Sequence, residues 1–106
     1  MAHMRLKVPK TAKRGEIIEL KVLIQHPMES GYRRNSQGEA IPRNILNLFE
    51  CFYGQDIIMS GELGPGIAAN PILTFHARAT ETAIIRFRWT EQTGKEFEET
   101  AQLNVI

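Results

Sequence analysis

Hydrophobic and polar residues alternate with a period of two along most of this chain, and helical spacing of apolar positions nowhere lasts beyond a turn or two. From Ile17 to Gln25, one side carries Ile18, Leu20, Val22 and Ile24 and the other Glu19, Lys21 and Gln25. The same pattern sets Leu73, Phe75, Ala77 and Ala79 against Thr74, His76 and Arg78, and Ala83, Ile85, Phe87 and Trp89 against Arg86 and Arg88. It sets Phe97, Glu99, Ala101, Leu103 and Val105 against Glu98, Thr100, Gln102 and Asn104. Strands with one wet and one dry face belong to antiparallel sheets. Further strands at Met4 to Val8, Ile45 to Tyr53 and Asp56 to Ser60 bring the expected number to about seven. The fold class is therefore all-β, an immunoglobulin-like antiparallel β-sandwich. The paired cysteines of antibody domains are missing, so Trp89 reads as a core aromatic or, less favourably, a surface anchor.

If consecutive strands alternate in direction, loops alternate between two ends of the sandwich. The short turns at Pro9 to Gly15, Gly54-Gln55 and Thr80-Glu81 then share one end. The long segments His26 to Arg43 and Gly61 to Pro71, with Glu91 to Lys95, share the other. Long loops gathered at one end of a rigid scaffold are where function usually sits.

Candidate chemistry in these loops is sparse. His26 enters the longest loop, where an imidazole acts as a cap or packing group or as a proton carrier or ligand. His3, His26 and His76 lack metal-ligand spacing, which favours the first reading. Arg33-Arg34, with Arg43 beyond, offer guanidinium forks suited to oxyanions, or local pairs with Glu29 or Glu39. Cys51 shares a strand face with Ile45, Phe49 and Tyr53, which makes it a buried small hydrophobe. A nucleophilic or redox role would require an acidified, exposed thiol. On the opposite face Glu50 stands among Leu46, Leu48 and Phe52, so that face is the outer one and its Leu48 and Phe52 form an apolar patch that points to a partner. The alternative is that a loop folds back over them. No serine, histidine and aspartate set, glycine-rich phosphate loop or carboxylate pair is present, so no catalytic, cofactor or metal residue is expected.

Composition narrows the class. A chain of 106 residues, 42% hydrophobic, holds one domain over residues 1–106. Thirteen Lys and Arg against twelve Asp and Glu leave a net charge of +1, so neither nucleic acid nor an anionic membrane is an expected partner. One cysteine excludes an internal disulfide. No apolar run approaches the ~20 residues of a spanning helix, and no basic segment followed by an apolar core opens the chain. The opening Met1-Ala2-His3-Met4 reads equally as a native start or as a cloning remnant over residues 1–3.

Three segments carry a resemblance. They are His-Pro-Met-Glu-Ser-Gly-Tyr-Arg-Arg-Asn-Ser-Gln-Gly-Glu-Ala-Ile-Pro-Arg at 26–43, Gly-Ile-Ala-Ala-Asn-Pro at 66–71, and Lys-Val-Pro-Lys-Thr-Ala-Lys-Arg-Gly-Glu at 7–16. With them the chain resembles the SoxZ family, the small subunits of the SoxYZ sulfur carrier of thiosulfate oxidation. The resemblance implies a non-catalytic subunit pairing with SoxY, whose C-terminal Gly-Gly-Cys-Gly-Gly arm holds the sulfur intermediates. It further implies a periplasmic location reached by export with SoxY and transient docking of other Sox enzymes, while the apolar patch of Leu48 and Phe52 would serve contact with SoxY or, without it, self-association. Met28, Tyr32, Arg33, Arg34, Ile67, Ala68, Ala69 and Asn70, with Leu48 and Phe52, are the expected partner-facing residues. The readings that remain beside it are a redox or enzymatic role through Cys51 and a generic extracytoplasmic sandwich interaction module.

Overall fold

The computed structural model describes residues 3–106; Met1 and Ala2, two of the three residues read as a remnant, lie outside the described residues. Among the described residues, eight strands form two sheets. In chain order they are β1 (Met4–Lys7), β2 (Thr11–Ala12), β3 (Ile17–Ile24), β4 (Leu46–Tyr53), β5 (Asp56–Glu62), β6 (Ile72–Arg78), β7 (Ala83–Glu91) and β8 (Glu96–Val105). The smaller sheet has the order β1-β3-β6 and the larger β2-β8-β7-β4-β5. The chain is an immunoglobulin-like β-sandwich, as its alternation predicts.

The strand added to the seven expected is β2. Its two residues pair in parallel with Asn104 and Val105 of β8. Two residues are too few to display a period, so the pattern is silent there. Because β2 continues the direction of β1 and only changes sheets after Pro9, the two act as one strand and the alternation of loops between two ends survives. Gly15, Gly54 and Glu81 therefore lie at one end and the long segments at the other. Asn70 N–H bonds the carbonyl of His26, and Gln92 N–H that of Ile45, across the second end.

The core forms where the alternating faces meet. Ile18, Leu20, Val22 and Ile24 from β3 pack with Ile85, Phe87 and Trp89 from β7 and with Phe49 and Cys51 from β4. Phe49 stacks at a tilt on Trp89, centroids 4.6 Å apart, and meets the edge of Phe75 at 5.9 Å. Trp89 is fully buried and is the core aromatic. At the far end the β4–β5 turn requires Gly54 at φ +60°, a conformation open to glycine at little cost.

Strand β4 departs from strict alternation twice, and both departures correct the sequence reading. Leu46 faces Glu91 and Leu48 faces Thr90, so Asn47 is an extra residue in the ladder. That bulge turns Leu46 inward: it is fully buried, not on the outer face where an uninterrupted period places it. A second slip, between Cys51 opposite Met59 and Phe52 opposite Ile57, leaves Ile58 as the extra residue on β5. Phe52 does lie on the outer face, yet only 7% of it is exposed. The guanidinium carbons of Arg86 and Arg88 stand 4.4 and 4.9 Å from its ring centroid and cover it. The expected apolar patch is thus reduced to a half-buried Leu48, and the cover comes from two arginines on β7, not from a folded-back loop.

Candidate functional site at the long-loop end

The end where the long segments meet is organised around His26. This residue follows β3 directly, and its side chain turns inward, 4% exposed. Met28 N–H donates to Nδ1 at 3.0 Å, which leaves Nε2 as the protonated nitrogen, donating to Glu91 Oε2 at 2.8 Å. Glu91, at the end of β7, also accepts from the Thr93 hydroxyl. The Thr93 contact first, and His26 after it, hold the Glu91 carboxyl below the usual carboxylate range against the opposing effect of burial. The arrangement is closed. Both imidazole nitrogens are committed to structure, so His26 is the packing histidine of the first reading. Glu91 is the partner that sequence reasoning missed. It lies 65 residues away in the chain, and no local spacing announces it.

Asn70 ties the second loop to the first. Its side-chain oxygen accepts from His26 N–H at 2.9 Å while its own N–H donates to the His26 carbonyl at 2.9 Å. This reciprocal pair holds Asn70 at φ +55°, a left-handed conformation that asparagine tolerates better than most residues. Met28 also adopts a left-handed conformation, at φ +49°. Its side chain is buried, and its sulfur accepts from Leu46 N–H at 3.3 Å. Met28 therefore faces the interior, contrary to its expected place on the partner-facing surface. An inward anchor is what keeps so unusual a backbone angle for a non-glycine residue.

Beyond Met28 the long segment is a narrow excursion, not a slack loop. Bridges Glu29 with Asn44 and Arg34 with Ala40 close it antiparallel. Asn35 caps its tip by accepting from the N–H groups of Gln37 and Glu39. Arg33 pairs with Glu29, which lowers the Glu29 carboxyl and raises the guanidinium, and Arg34 donates to the Gly38 carbonyl at 2.9 Å. Of the two readings for these arginines, the structure shows the local one. Tyr32, which precedes Arg33 in the chain, is 82% exposed, and its N–H donates to Ser30 Oγ at 3.3 Å. The second loop presents Ile67, 39% exposed, beside exposed Ala68, Ala69 and Asn70. An apolar hollow of about 280 Å³ lies among Leu63, Ile67, Ile72 and Leu73.

Cys51 sits away from this end and has no accessible surface. Burial pushes its thiol up to about 12, far from the acidified state a nucleophile needs. Among the described residues, no three His, Cys, Asp or Glu side chains are grouped to hold a metal ion.

By its geometry the chain is an immunoglobulin-like sandwich with a rigidly built loop end and a thiol sealed in the core. Comparison with protein families places it more closely. The family model described as "Sulphur oxidation protein SoxZ" matches residues 4–102, and the chain belongs to that family, within the Sox system of sulfur oxidation. Among solved structures it is similar to the sulfur carrier protein SoxY from Chlorobium limicola f thiosulfatophilum, with 15% identity and a TM-score of 0.69 over 97% of this chain and 79% of that one. It is also similar to the superoxide reductase (neelaredoxin) from Ignicoccus hospitalis, with 12% identity and a TM-score of 0.73 over 99% of this chain and 82% of that one. At such identities these likenesses show a shared sandwich fold alone. A search of curated proteins found no match.

Proposed function

We infer that the chain is the non-catalytic subunit of a SoxYZ carrier and forms a complex with a SoxY protein whose terminal cysteine arm holds the sulfur intermediate. Membership of the SoxZ family supports the pairing. The observation that carries the division of labour is Cys51: its sulfur has no accessible surface and its thiol is pushed up to about 12. A covalent sulfur intermediate requires an exposed thiolate as attacking group, so the cargo must sit on another chain. Exposed Tyr32, the Ile67 to Asn70 segment and half-buried Leu48 form the surface we assign to partner contact. Arg33 and Arg34 border it. Work in the periplasm after export with SoxY, and self-association without it, complete the proposal.

Co-expression with a SoxY ending in Gly-Gly-Cys-Gly-Gly tests the reading. A stable complex is expected, and intact-mass analysis after incubation with tetrathionate, whose central sulfur–sulfur bond an exposed thiolate attacks to take up a sulfane-sulfonate group and release thiosulfate, should find added mass on the SoxY chain and none on Cys51. Sulfur on Cys51, or failure of the two chains to associate, would overturn it.

A further inference from the structure

We propose that the outer face of the small sheet is a docking surface for an acidic protein, an enzyme that acts on the carrier, separate from the seat of SoxY. Arg5 and Lys7 of β1, Lys21 of β3 and Arg78 of β6 all lie on this face, against the single carboxylate of Glu19. Lys7 and Lys21 are directly opposite each other in the ladder. Like charges so placed repel and destabilise a sheet. Lysines do guard exposed sheet edges against unwanted pairing, and Lys7 is on an edge strand, but Lys21 is on the central strand β3 where no edge needs guarding.

The larger sheet shows what a self-sufficient charged face looks like. There Arg88 donates to Glu50 at 2.9 Å and lies 4.0 Å from Glu96, while Arg86 lies 4.0 Å from Glu98. On the small sheet Glu19 is 3.7 Å from His76, and among the described residues Arg5, Lys7 and Lys21 have no carboxylate within 4.0 Å. Apolar groups flank them: Ile17 is 53% and Ile72 56% exposed. Unpaired cations interspersed with exposed isoleucines match a protein surface of acidic residues around apolar ones, and complementary charge of this kind steers association. A phosphate backbone or a lipid headgroup layer calls for a denser, more uniform array of cations than this face holds. A second copy is disfavoured by geometry, since a contact between the small sheet of one copy and the large sheet of the next would leave both molecules with an unused face and grow without closing.

The proposal rests on the carrier reading. The full chain, titrated with a short poly-L-glutamate and followed by amide NMR, should show shifts confined to Arg5, Lys7, Lys21, Leu23 and Ile72 and their neighbours, erased as salt rises from about 0.05 to 0.5 M. Lys7→Glu with Lys21→Glu should weaken that binding at least about tenfold. In complex with SoxY, the same variant should raise KM for the enzymes that process the carrier by a similar factor with little change in kcat. Lys7→Gln with Lys21→Gln, which adds no new charge, should show a smaller loss in the same direction. Shifts centred on Arg33 and Arg34, tighter binding to phosphatidylglycerol vesicles or to an oligothymidylate, or unchanged KM in a variant that pairs normally with SoxY would each overturn the proposal alone. Loss of SoxY pairing in the variant would make the face SoxY's seat and overturn it as well. A wild-type chain that does not pair with SoxY would overturn the carrier reading and this proposal with it.

Discussion

Two side chains that could react, Cys51 and His26, are closed off by their surroundings. The thiol of Cys51 packs between its neighbours on a core face, so native protein should resist thiol reagents while urea-unfolded protein reacts at once. Cys51→Ala should lower stability by about 1 kcal/mol, the scale of a small core truncation, measured by denaturant unfolding. His26→Ala should cost about 2 kcal/mol or more, since it removes a hydrogen bond to a charged group and leaves a buried carboxylate short of a partner. The carboxylate itself predicts a pH effect. Because the folded state lowers the Glu91 pKa, its contribution is complete above the unfolded value and is lost as pH falls through the folded one. Unfolding midpoints measured between about pH 6 and 3 should fall in the wild type and fall less steeply in Glu91→Gln. Equal slopes would show that Glu91 titrates alike in both states.

At the scale of the element, β4 and the excursion after it behave differently. Phe52 shares its strand with core residues and is covered from outside by Arg86 and Arg88, so Phe52→Ala should destabilise the fold by about 2 kcal/mol or more, visible in urea unfolding, and not act chiefly on association. Arg33 bonds only within its own exposed excursion, and ion pairs of that kind contribute little. Arg33→Ala should change stability by less than about 0.5 kcal/mol in the same assay. Alternation along the strand places Phe52 on the outside correctly. Whether an outside residue is exposed depends on the strand beside it, and the residues that cover Phe52 come from β7, more than thirty positions on.

For the whole molecule, what matters is that the loops converge. Tyr32 and Ile67 are exposed on the two long loops at the same end of the sandwich. Tyr32→Ala with Ile67→Asp should leave the unfolding midpoint nearly unchanged and weaken the complex with SoxY by at least about 2 kcal/mol, measured by calorimetric titration. An intact affinity would move SoxY's seat to another surface. The convergence itself is legible from parity alone, and β2 does not disturb it because β1 and β2 run on in one direction across the two sheets.

Alternation by itself determined the sandwich, the buried faces of β3, β6, β7 and β8, the burial of Cys51, and the gathering of the long loops at one end. A period of two is a property of each strand's own backbone, which is why no partner need be known to read it. Only the tertiary structure decided the rest: that Leu46 and Met28 point inward, that arginines cover Phe52, that His26 is closed off by Glu91, and that Lys7 meets Lys21 on one face. Each of these turns on which strand lies beside which and in what register. A single bulge residue shifts the register between its two sides, as Asn47 does in turning Leu46 inward while Phe49 and Cys51 keep theirs, and nothing local in the chain records it.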